Sequence, residues 1–590
     1  MKRLSLLSLL ALLGLAGDAL GYTPTAVPSN ALLSGASTIT YPGGLQRDTF
    51  GNGNGAPPMQ FVPGTGPCSL NGGNGDGGSQ VKSADGKCWL GVFPAKGGDP
   101  RQWGVKTDGT DSSAGMQAAV NWAAQGKELV LPPGVIAFGT GLVATVHQLT
   151  MLNISGAGVN NSFLEYSGAS GTALTVNEPD SQNSASFHFR NFTLTSTHPG
   201  GANGFAINYT GSGAVKFTYP VINSFENVMI QGSDGPQMVN YFTTGISLSQ
   251  VSWVNFLVGI SGPQTAGPAG VGITAVATGA IPGIVYNILP GSNFWQLDAG
   301  LSIGTETQGY QISGTNFTGN NRGIYIPPGG TAVFQVAVAN SQFGPCVIYC
   351  FDSETDPTTT ASNIILTGNL FFAPNNAGHA AINLANARDF NITGNQFSYQ
   401  PTPNVGDGIH IGQMPNIGGL IANNTFLAMK NAITLDSGSQ NVMVGPNVHS
   451  ADTCTGCNYL VNNGPNTNTG IDINFNYTPE FVSCGSGSAT FSAASGTYNV
   501  TGNIVNIDIS ITIGTTSSCN NIAYSLPTLF NNVAVSTAGA GVDDTIASPI
   551  TLRVDPTPGG GPAAGNMVTG LVTAGHIYLG HLTYKIVSPF

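Results

Sequence analysis

SGTNF at residues 313–317, ANSQF at 339–343, TGNLF at 367–371, TGNQF at 393–397 and ANNTF at 422–426 are five versions of one pattern, with GPNV at 445–448 a weaker sixth. Their last residues, Phe317, Phe343, Phe371, Phe397, Phe426 and Val448, are spaced by 26, 28, 26, 29 and 22 residues. A second apolar run follows each anchor: GIYI from Gly323, VIYCF from Val347, AAINL from Ala380, DGIHI from Asp407 and NAITL from Asn431. Strand-length runs divided by Gly and Asn turns and recurring at this period mark a stacked array. No 3.6-residue period accompanies them, which excludes two-helix repeats. The reading is a parallel β-helix, in which like residues stack and the Phe anchors form an internal column. Each buried Phe contributes ~1.5–3 kcal/mol.

Composition agrees with this. The 590 residues include 83 Gly, and only 7% are charged, against about 25% charged in ordinary globular chains. The hydrophobic share of 41% supports a core and comes in short strands, not in spans of ~20 residues. Outside the leader no membrane span is expected. The formal net charge is −12, so binding nucleic acid through its phosphates is excluded, and an acidic polysaccharide would need a local device to hold it.

MKRLSLLSLLALLGLAGDALG, residues 1–21, reads as a cleaved secretory signal: Lys2 and Arg3, the apolar Leu4 to Gly17, then Ala19-Leu20-Gly21. Its removal takes away two cations and Asp18 and leaves a net charge of −13. Export places the protein outside the cytoplasm, extracellular or periplasmic. The eight cysteines suit that setting. Cys68 with Cys88, Cys454 with Cys457 and Cys484 with Cys519 are expected as local disulfides. Cys346 and Cys350 lie in or beside a strand, where direct pairing looks geometrically strained, and are expected to stay free.

Residues 22–97 are rich in Gly, Pro and Asn and read as an extended arm or small cap tied by Cys68 and Cys88. Residues 98–477 read as the β-helix. The stretch from Trp103 to Val135 holds the one convincing helix, capped by Asp111 or Ser112, with Met116, Ala119, Val120 and Ala123 at helical spacing. A helix before the first coil closes the open apolar end. Residues 478–590 alternate apolar and polar positions over longer runs, as in SATFSAASGTYNVTGNIVNIDISITIG, and read as an antiparallel β-sandwich. The Asn-x-Ser/Thr sequons, such as those at Asn191 and Asn391, are read as turn and ladder asparagines.

The opening Gly104, Asp108-Gly109, Asp111, helix, Pro132-Pro133-Gly134 and Ser155-Gly156-Ala157-Gly158 resembles the pectate-lyase-like superfamily in its rhamnogalacturonase/epimerase-type branch. The resemblance implies an all-β fold: a right-handed parallel β-helix with an N-terminal capping helix. It also implies that Asp108 and Asp111 shape the turn into that cap and are not a catalytic pair. GTYNVTGNIVNIDISI is similar to the small β-sandwich domains that end phage tailspikes, which implies sugar binding or a homotrimer. The superfamily includes hydrolases, lyases, epimerases and phage tailspikes, so function has to be argued from a site.

Cleaving a uronate polysaccharide takes paired carboxylates for hydrolysis, or a base with charge neutralisation, often by calcium, for β-elimination. With carboxylates scarce, FDSETD stands out: Asp352, Glu354 and Asp356 alternate on an extended segment and suit a catalytic pair or Ca2+. An outward stripe is the second candidate. If Ile324, Ile348, Ile382, Ile409 and Ile433 point inward, then Tyr325, Tyr349, Asn383, His410 and Thr434 form one outward column, with Arg322 and Asp407 beginning strands beside it. Asp298 with Glu306 is a third. The NTD, GDD and G-H-G motifs of polygalacturonase-type hydrolases are absent, and in GDGIH the second acid is replaced by Gly408. The expectation is a secreted polysaccharide-active protein, cleaving glycosidic bonds through Asp352, Glu354, Asp356, Asp407 and His410 and holding the glycan through Tyr325, Tyr349, Asn383 and Arg322. The alternative is a non-catalytic, tailspike- or adhesin-like glycan binder.

Overall fold

The structure is a computed structural model that describes residues 25–585 except 96, 181–184, 210–221, 235–238, 278–282, 329–332, 355–360, 375–377, 386, 400–405, 413–415, 438, 451–457, 463–474, 480, 485–487, 502–503, 518, 520, 526–536, 546–547, 556–563 and 569–572. It divides into two compact units, one ending at Asp298 and the other beginning at Ala299.

In the first unit the Gly/Pro-rich segment is a small five-stranded sheet with its own core of Leu33, Leu45, Met59, Phe61, Val81 and Trp89. Glycines dilute its strands to three to five residues, which hid them from a periodicity reading. Cys68 and Cys88 are bonded as expected. Arg47 is fully buried between Phe50 and Phe61, its guanidinium donating to Asn30, the Gly77 carbonyl and Gln102. The helix Ser113–Ala123 buries Met116, Ala119, Val120 and Ala123 as its spacing requires. Ser112 is the N-cap residue, and Asp111 just before it accepts from the Ser113 N–H through Oδ1, while Asp108 Oδ1 accepts from the Thr110 N–H.

Parallel coils follow. One sheet runs through Met151–Gly156, Ser186–Ser196, Asn223–Gly232 and Val254–Ser261. The second runs through Leu142–Thr145, Gly171–Glu178, Ala202–Tyr209, Thr244–Ser249 and Val271–Val276. Between them lie Phe187, Phe189, Phe205, Phe225 and Phe256, all fully buried.

The second unit carries the clear repeats. Phe317, Phe343, Phe371, Phe397 and Phe426 stack with ring centroids 4.7–5.0 Å apart and planes within 15°, the strand spacing of a parallel sheet. The sixth position belongs to His449, which pairs in register with Phe426, while Val448 is 61% exposed. The reason is a second column two residues before each anchor. Ser341 Oγ, then Asn369, Asn395, Asn424 and Asn447 Oδ1, each accept the backbone N–H of the equivalent residue one coil earlier, at 2.8–3.3 Å. Aligning on Asn447 makes His449 the anchor.

The strands of the other sheet, Arg322–Ile326, Tyr349–Ser353, Ala380–Leu384, Asp407–Ile411, Asn431–Leu435 and Asn458–Asn462, are in parallel register. The second residues of the first five are small (Gly323, Cys350, Ala381, Gly408, Ala432), because the Phe column fills that space, whereas the sixth strand, beyond the last Phe anchor, carries Tyr459 there. A Cβ on Gly323 would lie 2.7 Å from the Phe343 ring, and one on Gly408 2.8 Å from Phe426. In the first five strands the second, third and fifth residues are buried, and the strand alternation turns the first and fourth away from the core.

From Phe475 the described strands form one nine-stranded antiparallel sheet centred on Ser488–Thr501, Ile504–Ser517 and Ile577–Lys585. Ile507, Ile509, Ile511 and Ile513 bury alternate positions, as the pattern predicts. Cys519 is buried and disulfide-bonded; the side chain of Cys484, and Cys454 and Cys457, lie outside the described residues. No described helix is long and apolar enough to cross a membrane.

Candidate functional site

Because first and fourth residues both face out, the second unit presents two neighbouring columns. One contains Arg322, Tyr349, Ala380 and Asp407, continued by Asn431 and Asn458; the other contains Tyr325, Asp352, Asn383, His410, Thr434 and Val461. The sequence had Tyr349 in the second column, from treating Ile348 as inward. The strand starts only at Tyr349 and turns Phe351 inward, so Tyr349 sits opposite Arg322 and Asp352 takes the predicted place. The same shift explains the cysteines. Cys346 precedes the strand in a turn, which brings its Cα to 5.3 Å from that of Cys350, and the two are bonded, contrary to expectation. Four residues of continuous strand would have separated them by about 13 Å.

Asp352 is fully buried with both oxygens engaged: Oδ2 accepts from Arg322 Nε at 2.8 Å and Oδ1 from Asn383 Nδ2 at 2.8 Å. Burial pushes its carboxyl up to about 6, against the opposing pull of the Asn383 and Arg322 hydrogen bonds. Arg322 is 18% exposed and lies over the Tyr325 ring at 4.5 Å, with its other end 3.5 Å from Glu354. Burial alone would lower its pKa, but the hydrogen bond and charge of Asp352, then Glu354, raise it. Tyr325 donates to Glu354 Oε2 at 2.9 Å, and burial followed by that carboxylate raises the phenol. Glu354, 36% exposed, is the accessible acid of the FDSETD stretch; Asp356 lies outside the described residues.

Two coils further on, about 10 Å along the solenoid, Asp407 and His410 face outward from one strand and are both half-buried. Asp407 accepts from Asn431 Nδ2 at 2.8 Å and Thr434 Oγ1 at 3.0 Å, and burial raises its carboxyl in spite of those bonds. His410 Nε2 lies 3.0 Å from Asp436 Oδ2. Two residues of this region escaped the sequence reading. Asp436 follows its strand directly, as Glu354 follows Tyr349–Ser353, and that shared position was the available signal. His379 precedes its strand, and its ring meets Tyr349 edge-on at 5.4 Å. Asp298 and Glu306, the third pair, fall one in each compact unit.

Two of the three acids read as a calcium set are described; Asp356 lies outside the described residues. Asp352 and Glu354 close on a guanidinium, which occupies the position a cation would take. Among the described residues no group of three or more His, Cys, Asp or Glu could hold a metal.

No family model and no curated protein matches this chain. Solved structures do. The Dettilon tailspike protein is 14% identical, with 83% of this chain and 94% of that chain covered and a TM-score of 0.44. The A-module of the mannuronan C-5 epimerase AlgE6 from Azotobacter vinelandii is 15% identical over 62% and 97%, TM-score 0.34. A tailspike protein of Acinetobacter baumannii bacteriophage Fri1, a capsular polysaccharide depolymerase, is 12% identical over 95% and 98%, TM-score 0.33.

Proposed function

We propose that the protein is exported and cleaves glycosidic bonds of an acidic polysaccharide laid along the two outward columns of the second unit. The observation that carries this is the pairing of Asp407 and His410 on one strand. Both are half-exposed and each is fixed by a partner on the next coil. Asp407, whose carboxyl burial raises, donates the proton that the leaving glycosidic oxygen needs. His410, held by Asp436, accepts a proton from water in hydrolysis or from the carbon next to the uronate carboxylate in elimination. Arg322, shared with Asp352 and Glu354, offers the sugar N–H donors and not an unopposed charge, and Tyr325, Tyr349 and Glu354 hold the sugar. Asp352 is a positioning residue, because it is buried against Arg322 and Asn383.

A second reading, non-catalytic glycan binding, is favoured by one observation: Asp352, Asp407 and His410 all have partners within the protein. Purified mature protein should be incubated with acidic and neutral polysaccharides while reducing ends and the ultraviolet absorbance of unsaturated uronates are followed. Both signals identify elimination, and reducing ends alone hydrolysis. Asp407→Asn and His410→Gln should each lower the rate by about 10²–10⁴ with binding retained. Binding by the parent without either signal would establish the second reading.

A further inference from the structure

Between residues 151 and 298 the sequence has only two cationic side chains, Arg190 and Lys216, and Lys216 lies outside the described residues. Arg190 stands on the strand Ser186–Ser196, where Phe187 and Phe189 point into the core and His188 and Arg190 point out. In register on successive coils, Glu128, Asn153, His188, Ser224, Asn255 and Asn287 form one outward line. Ser155, Arg190 and Glu226 form the line beside it.

These groups hold one another in fixed positions. Arg190 donates to Asn153 Oδ1 at 3.0 Å and lies 3.5 Å from Glu128 Oε1, which also accepts from Ser155 Oγ at 2.9 Å. The Arg190 Nε–H is buried and lacks a partner among the described residues. His188 Nδ1 lies 2.8 Å from Ser224 Oγ, which leaves Nε2 to face outward. Burial lowers the His188 pKa and outweighs the opposing pull of Glu226. Glu226 is exposed one coil away.

Such a patch is not required to hold the coils together. On the second sheet of the same unit the equivalent outward line is Thr175, Ala206, Ser247 and Thr274, with no charge at all. We propose that the face around Arg190 and His188 is a second glycan site, taking the carboxylate of an acidic sugar. The guanidinium is partly balanced by Glu128, which suits a single weak charge and not a phosphate or sulfate. The guanidinium edge that Asn153 and Glu128 leave open donates to a carboxylate, and His188, Asn255 and Asn287 offer donors and acceptors to ring hydroxyls. The line climbs about 4.8 Å per coil, so an extended chain meets a new polar group at each step.

The test is calorimetric titration of the full mature protein with a short oligogalacturonate, against a neutral malto-oligosaccharide of equal length. Arg190→Gln removes the charge while keeping a donor for Asn153, and it should weaken oligogalacturonate binding at this site at least about tenfold. Glu226→Gln removes a like charge from an exposed position and should tighten it severalfold, an effect that unfolding cannot imitate. Stoichiometry separates this proposal from the reading of the second unit. Two sites falling to one in Arg190→Gln supports both. One site falling to none supports the Arg190 site and sinks oligosaccharide binding at Arg322. The proposal is overturned if Arg190→Gln and Glu226→Gln bind as the parent does, if acidic and neutral sugars bind alike, or if the parent binds no oligogalacturonate.

Discussion

Replacing Asp352 by asparagine should change how stability depends on pH more than it changes stability at any single pH. An aspartate in an unfolded chain titrates near ~3.9, and burial pushes Asp352 up to about 6. Below about pH 3 the carboxyl is neutral in both states. Between about pH 4 and 6 the unfolded chain has released a proton that the folded chain still holds, so stability falls as pH rises. A gap of about two pH units at ~1.36 kcal/mol each comes to about 3 kcal/mol, lost by about pH 7. Arg322 does not offset this, because taking a fully buried carboxylate out of water costs more than the pair returns. Asparagine cannot titrate. One end of its amide must face a donor, Asn383 Nδ2 or Arg322 Nε, at a cost of about 1–3 kcal/mol that does not vary with pH. Denaturant unfolding of parent and variant at pH 4 and pH 7 isolates the titrating part, since all other groups cancel in the difference. The parent should lose about 2 kcal/mol relative to the variant over that range. A flat difference, or one that moves in the parent's favour, would refute the reasoning, because it would mean that the ion pair repays the burial.

Asn395→Ala should destabilise the coils by about 2–4 kcal/mol, read from the denaturant midpoint, because it strands the Leu366 carbonyl and the Asn369 N–H in the interior. Gly408→Val places atoms where the Phe426 ring and the Ala432 carbonyl already sit, and should cost about 1–3 kcal/mol or more and lower the thermal midpoint. Dialysis against a chelator should leave acidic-oligosaccharide binding in the second unit unchanged, because Arg322 already supplies the cation between Asp352 and Glu354; a loss restored by calcium would count against this. Reducing Cys68–Cys88, which closes a loop of about 20 residues, should loosen the N-terminal sheet by about 3 kcal/mol, seen as faster hydrogen exchange at Cys88–Val92.

The solenoid was legible because its strongest signal, the spacing of Phe317, Phe343, Phe371, Phe397 and Phe426, is also its packing principle. What failed was register at two points, and for one reason. An apolar residue is a weak register mark, since Ile348 and Val448 look as inward as Phe351 and His449 do not. Polar columns are stronger marks, because a buried Asn must find its partner on the next coil or leave a backbone group unsatisfied. Reading Thr315, Ser341, Asn369, Asn395, Asn424 and Asn447 as the invariant of the repeat places His449 correctly from sequence alone. The small second residue of each strand, which exists because the Phe ring fills its space, would likewise have aligned Gly323 with Cys350 and so moved Asp352 into line with Tyr325 and Asn383. The candidate residues were named because charge is scarce here. Their roles stayed hidden because a column position does not reveal what covers it. Asp352 and Asp407 both face outward from their strands and both have their two oxygens engaged, yet the first is fully buried against the charged Arg322 and Asn383, while the second, held by Asn431 and Thr434, stays half-buried on the strand that carries His410. The proposed difference between a positioning carboxylate and a reacting one therefore lies in the side chains of neighbouring coils, about thirty residues away in sequence and one strand spacing away in space.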